Sequence, residues 1–251
     1  MEFSFPAIAV ISLLFFGVAF LYSSVGHGGA SGYLAVLSLF TLSPAVMSTT
    51  ALILNVLVSA TALITFFKAK HFATKLTWPF IVTSVPAAFL GGMMYVSVHV
   101  YQVLLAIVLF VAGLRFLLET RSSKQEPGVQ LPSLLVSLPV GAFIGFVSGL
   151  VGVGGGVFLS PLILMMRWAN AKRTAATSAA LILVNSVAGL SGRVTGGSFE
   201  VGALLPLLVA AFVGGLLGSH LGAVRYSSRT IRQLLGVVLL IASAKLVFAA
   251  L

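Results

Sequence analysis

Long apolar runs, separated by short polar or glycine-rich stretches, organise the whole 251-residue chain. The ten apolar segments cover residues 6–25, 29–42, 48–67, 76–96, 101–118, 132–151, 156–168, 173–193, 202–222 and 228–250. A helix that crosses ~30 Å of hydrocarbon needs about 20 residues, so most segments predict transmembrane helices. Segments 29–42 and 156–168 reach only ~20 Å and follow glycine-rich stretches. The pattern predicts an all-α integral membrane protein with broken or re-entrant short helices at these two places.

The two halves of the chain repeat each other. Four short motifs recur in the same order, pairing 25–30 with 151–156, 51–55 with 181–185, 87–92 with 210–215, and 102–104 with 233–235. We therefore predict two transmembrane repeats, 1–118 and 132–251, of about five helical segments each. A cytoplasmic linker, 119–131, joins them within one transmembrane domain. Because five is an odd number, the second repeat is expected to have inverted topology.

The few charges indicate the orientation in the membrane. The chain has 14 Lys and Arg but only 4 Asp and Glu. Basic residues flank four connections that all fall on one side of the predicted bundle: Lys68, Lys70 and Lys75; Arg115, Arg121 and Lys124; Arg167, Lys172 and Arg173; Arg225, Arg229 and Arg232. The positive-inside rule assigns that side to the cytoplasm. Both termini are then expected outside.

Composition narrows the class of protein. Hydrophobic residues make up 59% and charged residues 7% of the chain, against about 25% charged in soluble domains, which excludes a soluble or disordered protein. The net charge of +10 is explained by cytoplasmic loops near anionic lipid rather than by a nucleic-acid partner. Cysteine is absent, so disulfides and Cys nucleophiles are excluded. We expect no metal, no other cofactor and no catalytic residue.

Two glycine-rich stretches are the main candidates for function. They contribute the candidate substrate-binding residues Gly26, His27, Gly28 and Gly29 in the first half, and Gly152, Gly154, Gly155 and Gly156 in the second. Glycines this dense do not suit a smooth helix, and a break frees backbone N–H groups. The N-terminus of the helix that follows carries a partial positive charge that favours an anion. By contrast, the pairs 91–92 and 214–215 fit close helix packing through small residues.

Polar residues beside these stretches complete the candidate site. Asn55 and Asn185 occupy equivalent mid-segment positions, and each could bind the broken backbone or a substrate. His27, whose repeat counterpart is Val153, is either a gating or proton-sensitive group or a turn residue. No Glu falls in the middle of an apolar segment. This chemistry favours a small anion over a cation.

With these features the chain resembles the TauE/SafE family of membrane permeases, the sulfite exporters. The resemblance rests on the two glycine-rich segments, the Asn-bearing helix after each, and the basic central linker. The second copy, 149–156 followed by Pro161, is the more typical one; the first copy has His27 and Ala30 instead. The resemblance implies a multi-pass transporter of the bacterial inner membrane. Its substrates would be small sulfur-containing anions such as sulfite or organosulfonates, usually exported.

Two alternatives remain at this point. One is a channel for anions or a neutral solute, which saturable, gradient-coupled flux would exclude. The other is an intramembrane serine hydrolase, because Gly29–Gly32 fits the pattern GxSG with Ser31 as nucleophile and His220 as base. The expected partners are a small anionic substrate and the lipid bilayer. A homodimer is a possible assembly.

Overall fold

Helices form the regular structure, as the long apolar runs predict. The computed structural model describes residues 5–40, 42–118, 129–199, 205–224, 239–241, 243–244 and 246–248. Within these ranges the bounded helices are α1 (Phe5–Ser23), α2 (Ala30–Leu37), α3 (Pro44–Lys68), α4 (Thr74–Met93), α5 (Val98–Leu118), α6 (Leu134–Val151), α7 (Gly156–Met165), α8 (Ala171–Thr195) and α9 (Leu205–Val224). Most of the predicted linker and the loop 225–232 lie outside the described residues.

Several helices have the length and hydropathy to cross a membrane. In the described part of the chain these are α3, α4, α5 over Val98–Arg115, α6 and α8. Shorter apolar helices accompany them at Ile8–Ser23, Gly156–Met165 and Leu205–Leu221. The protein is therefore a multi-pass helical membrane protein.

The long central helices α3 and α8 start with the same polar device. The side chain of Ser43 accepts the N–H of Val46 at 3.2 Å, and the side chain of Asn170 accepts the N–H of Arg173 at 3.0 Å. Each cap satisfies a donor that the first helical turn leaves unpaired. Both helices then run for 25 residues.

The bundle is built from helices of both halves. The most extensive pairs are α4 with α6, α1 with α9, α4 with α8, α3 with α8, and α3 with α9. Every one of these pairs joins a helix before the linker to a helix after it. The two halves therefore share one core.

Glycine lets the paired helices approach through their backbones. A Cβ on Gly145 would lie 2.5 Å from the Cα of Ser84, and one on Gly149 would collide with the carbonyl of Ala88. The same backbone contact occurs where α9 meets α1, since a Cβ on Gly214 would strike the carbonyl of Phe16. The packing interpretation of the pairs 91–92 and 214–215 is confirmed, because Gly91, Gly92, Gly214 and Gly215 all face a neighbouring helix.

Buried polar side chains line the central helices of an otherwise apolar core, and the exterior is apolar. Polar side chains are buried along α3 and α8: Ser48, Thr49, Thr50, Asn55, Ser59, Thr174, Thr177, Ser178, Asn185 and Ser186. Large apolar side chains are exposed, such as Leu135 at 88% and Phe143 at 68%. A water-soluble protein rarely exposes so much apolar surface. This surface is expected to contact the lipid of a membrane.

The glycine packing predicts a pair of contrasting substitutions. Gly149→Ala places a methyl group against backbone that cannot move aside, so it should destabilise the protein by about 1–3 kcal/mol. Gly17→Ala is the matched control, because a Cβ there meets nothing within 4 Å. It should be neutral or stabilising by up to about 1 kcal/mol. Thermal unfolding of the purified variants in detergent tests this; equal melting temperatures would contradict the packing.

Candidate functional site

Both glycine-rich stretches interrupt the helix, as predicted. After α1 the chain turns through residues 24–29, and after α6 it turns through 152–155. Gly29 and Gly155, the N-caps of α2 and α7, have φ angles of +95° and +86°, a conformation that L side chains rarely adopt. The helices that follow have only 8 and 10 residues, or about 12 and 15 Å, and cannot cross the membrane.

Asn55 on α3 ties the two interruptions together. Its Oδ1 accepts the backbone N–H of Ala30, the first residue of α2, at 3.1 Å. Its Nδ2 donates to the carbonyl oxygen of Val153, in the middle of the second interruption, at 3.3 Å. The side chain is completely buried. One amide thus satisfies backbone groups that lie 123 residues apart in the chain.

Two glycines leave room for that amide. A Cβ on Gly28 would collide with Oδ1 of Asn55, and a Cβ on Gly154 would collide with its Nδ2. Both would also lie 2.9 Å from Cγ2 of Ile182 on α8. The two interruptions therefore meet at one place, between Asn55 and Ile182.

The outer glycines pack each interruption against a central helix. A Cβ on Gly26 would lie 2.6 Å from the Cα of Ala175 on α8, and one on Gly152 would lie 2.9 Å from the Cα of Ser48 on α3. At these glycines, the interruption of each half therefore packs against the long central helix of the other half. Sequence reasoning had not identified Ile182, Ala175 or Ser48, since nothing in their residue type signals this role.

Asn185, the repeat counterpart of Asn55, has a different environment. Its Oδ1 and Nδ2 are both buried and have no hydrogen-bond partner among the described residues. A Cβ on Gly155 would lie 3.3 Å from its Nδ2, so this amide lies beside the N-terminus of α7. The hydroxyl of Ser186 is likewise buried and unpaired. A buried amide without partners costs about 1–3 kcal/mol and requires an explanation.

His27 lies within the turn after α1. Its backbone N–H donates to the carbonyl of Tyr22 at 2.9 Å, and its ring Nδ1 lies 3.1 Å from the carbonyl oxygen of Val25. The ring is 7% exposed and meets the ring of Tyr22 edge-on, with centroids 6.4 Å apart. These local contacts support the role of a turn residue.

Ser31 and His220 do not form a nucleophile and base. The hydroxyl of Ser31 is buried and donates to the phenol oxygen of Tyr22 at 3.0 Å. His220 is exposed on α9. Hydrogen bonding between serine and base is the signature of an activated nucleophile, and here the serine bonds to a tyrosine.

The end of α6 is capped by side chains from other helices. Arg193 on α8 donates through Nη2 to the carbonyls of Gly149 and Leu150, at 3.1 and 2.9 Å. Tyr101 on α5 donates to the carbonyl of Val151 at 3.1 Å. These carbonyls belong to the last turn, which has no partners within the helix. This arrangement is not predictable from the sequence, in which Arg193 is recognisable only as an arginine at the end of an apolar segment.

No acidic residue belongs to the described part of the site. All four, Glu2, Glu119, Glu126 and Glu200, lie outside the described residues. Within the described part of the chain, no group of three or more His, Cys, Asp or Glu could hold a metal ion. The site as described consists of amides, hydroxyls and helix N-termini.

An apolar exterior, buried polar side chains on two central helices and two interrupted helices that meet at one place are typical of polytopic membrane transporters. The family described as "Sulfite exporter TauE/SafE" matches residues 11–246, so the chain belongs to the sulfite exporter TauE/SafE family.

Two curated relatives agree with this assignment. "Probable membrane transporter protein y4hK" of Sinorhizobium fredii is 36% identical over 243 residues, which cover 95% of this chain and 97% of the relative. "Probable membrane transporter protein YunE" of Bacillus subtilis is 24% identical over 275 aligned positions, with 98% of each protein covered. No solved structure gives a significant match. The protein is accordingly a membrane transporter of this family.

The unequal environments of the two asparagines predict opposite effects on stability. Asn55→Leu removes both bonds to the interruptions and leaves two buried backbone groups unpaired, which should cost about 1–3 kcal/mol for each group. Asn185→Leu replaces an unpaired amide by an apolar group of similar shape and should be neutral or stabilising. Thermal unfolding in detergent compares the two; a larger loss for Asn185→Leu would contradict the assignment.

Proposed function

We propose that this protein transports small sulfur-containing oxyanions of the sulfite type, in the export direction, across the bacterial inner membrane. The observation that carries the proposal is the meeting of the two interruptions beside Asn55. There α2 and α7 both begin, each at a glycine without a side-chain cap. Asn55 accepts the first N–H of α2; the other N–H groups in the first turn of a helix lack intrahelical partners, and the helix dipole adds positive charge. An anion satisfies both.

The surrounding chemistry supports an anion as the substrate. Asn185 and Ser186 offer unpaired polar groups next to α7, and these can donate hydrogen bonds to oxygen atoms. We propose that Gly26, His27, Gly28 and Gly29, with Gly152, Gly154, Gly155 and Gly156, shape the binding site. Asn185 binds substrate directly, whereas Asn55 binds the backbone. The description of the family as sulfite exporters and the sequence resemblance favour sulfite among oxyanions.

The packing supports an inverted repeat. If α1 is equivalent to α6, α3 to α8 and α4 to α9, the α1–α9 pair is equivalent to α4–α6. In the same way, the α3–α9 pair is equivalent to α4–α8. All four are among the most extensive pairs in the structure. We propose that the halves are related by a pseudo-two-fold axis lying in the membrane, which is a transporter design.

The ends of the bundle differ in charge. Phe72, in the connection after α3, packs against the apolar cluster to which Ala175 and Ala176, near the start of α8, belong. Arg115 contacts Met165, and the N–H of Gln130 donates to the carbonyl of Trp168. Three basic connections therefore share one end, and we propose that this end is cytoplasmic and that both termini are outside.

Flux through proteoliposomes tests the function. Purified protein should carry sulfite saturably, and comparison with sulfate, thiosulfate and a short sulfonate, with and without a pH gradient, defines the substrate and the coupling. Asn185→Leu should lower sulfite flux at least about tenfold, the effect of losing about 1.4 kcal/mol of binding. Ser191→Ala, exposed on the same helix, is the matched control. Unchanged sulfite flux in Asn185→Leu would remove Asn185 from the site, and non-saturable flux would indicate a channel.

Single cysteines test the orientation, since the chain has no Cys of its own. In intact cells, a membrane-impermeant maleimide should label Tyr95→Cys and Thr195→Cys. It should label Lys70→Cys and Lys172→Cys only after the cells are opened, because those positions belong to the basic end. The reverse pattern would overturn the proposed orientation.

A further inference from the structure

A cavity at the opposite end from the basic connections contains a buried arginine. The cavity has a volume of about 130 Å³ and is lined by residues from α3, α5, α6 and α8 and from the connections at that end, among them Arg193, Tyr95 and Ser198. Tyr95 is 82% exposed, so the cavity reaches the surface. Its volume is several times the ~10–15 Å³ that one water molecule needs, which leaves room for a small oxyanion.

Arg193 is more deeply buried than its role as a helix cap requires. The residue is only 4% exposed. Nη2 donates to the last turn of α6, but Nε is buried without a hydrogen-bond partner in the described part of the chain. No acidic side chain belongs to the described residues. Carbonyl oxygens can accept hydrogen bonds from a guanidinium but cannot neutralise it, and a buried charge is costly unless it is paired.

The rest of the cavity wall is also suited to negative charge. Ser43, the N-cap of α3, and the first helical residues Pro44 and Ala45 form part of the lining. Val98, the first residue of α5, does so too. Two helix N-termini therefore border the same space as the guanidinium, and both carry partial positive charge. The hydroxyl of Ser198, another lining group, is buried and unpaired. Each of these groups interacts favourably with an anion, and no carboxylate is among the described residues that line the cavity.

We propose that this cavity is a second anion site, an outer vestibule in which Arg193 binds a small oxyanion separately from the central site at the interruptions. The bound oxyanion accepts hydrogen bonds from the guanidinium and supplies the missing counter-charge. Because Arg193 also holds the last turn of α6, the vestibule is joined directly to the helix that precedes the second interruption. The vestibule's place on a transport path rests on the proposed function; its binding of anions does not.

Charged thiol reagents test the vestibule without any flux. Tyr95→Cys places the only thiol of the chain at the cavity, and Thr195→Cys, exposed at the same end but outside the lining, is the control. The measured quantity is the reaction rate of an anionic methanethiosulfonate relative to that of a cationic one. At Tyr95→Cys, adding Arg193→Gln should lower this ratio about tenfold, the effect of one nearby charge, whereas Arg193→Lys should preserve it. The control ratio should change little.

Sulfate serves as the binding probe, since sulfite itself reacts with these reagents. Millimolar sulfate should slow the anionic reagent at Tyr95→Cys and leave Thr195→Cys unaffected. If Arg193→Gln folds and keeps the parent ratio, Arg193 is a helix cap only and the proposal is overturned. If that variant does not fold, protection by sulfate in the Arg193 protein decides, and its absence overturns the proposal. If sulfite is transported but the reagent ratio at Tyr95→Cys does not depend on Arg193, the vestibule proposal is overturned and the proposed central site is unaffected.

Discussion

The amide of Asn55 carries the constraint on which the rest of this fold depends. A helix that stops inside a membrane leaves N–H and C=O groups with no water to bind, and each must find a partner in the protein. Here one buried side chain accepts from the start of α2 and donates to the second interruption. Glycines at 28 and 154 are required because the amide occupies the space of a Cβ. Thus the position of one asparagine fixes where both interruptions lie.

The two halves use different means for the same requirement. The turn after α1 satisfies its own backbone, with the N–H groups of residues 24–27 bonded to carbonyls of the preceding helix. At the second interruption, the last carbonyls of α6 instead bind Arg193 and Tyr101 from distant parts of the chain. Asn55 has a hydrogen-bond partner at both Oδ1 and Nδ2, whereas Asn185 has none among the described residues. The two equivalent asparagines of the sequence repeat therefore differ in the structure: one supports the interruptions and the other has no partner among the described residues.

Much of this architecture could be predicted from the sequence. Apolar runs located the nine bounded helices to within about five residues, because lipid imposes the length of a spanning helix; most of the tenth segment, 228–250, lies outside the described residues. Dense glycine at 26–29 and 152–156 predicted the interruptions. Which asparagine is satisfied could not be predicted, since both occupy equivalent positions and differ only in their three-dimensional neighbours. The roles of Ile182 and Tyr101 could not be predicted either, because the type of an apolar or aromatic residue in an apolar segment does not show which residues it contacts. The capping of α6 by Arg193 could be predicted only if the position of α8 at the end of α6 were already known.

The pairing of α4 with α6 and of α1 with α9 bears on how the protein is made. During synthesis α1 to α5 enter the membrane before their partners exist, so the glycine face of α4 and the carbonyls of α1 meet lipid first. The hydrogen bond from Asn55 to Val153 also cannot form until α6 has emerged. The first half is therefore an unfinished intermediate that must remain in the bilayer, exposing polar side chains of α3, until the second half closes the core.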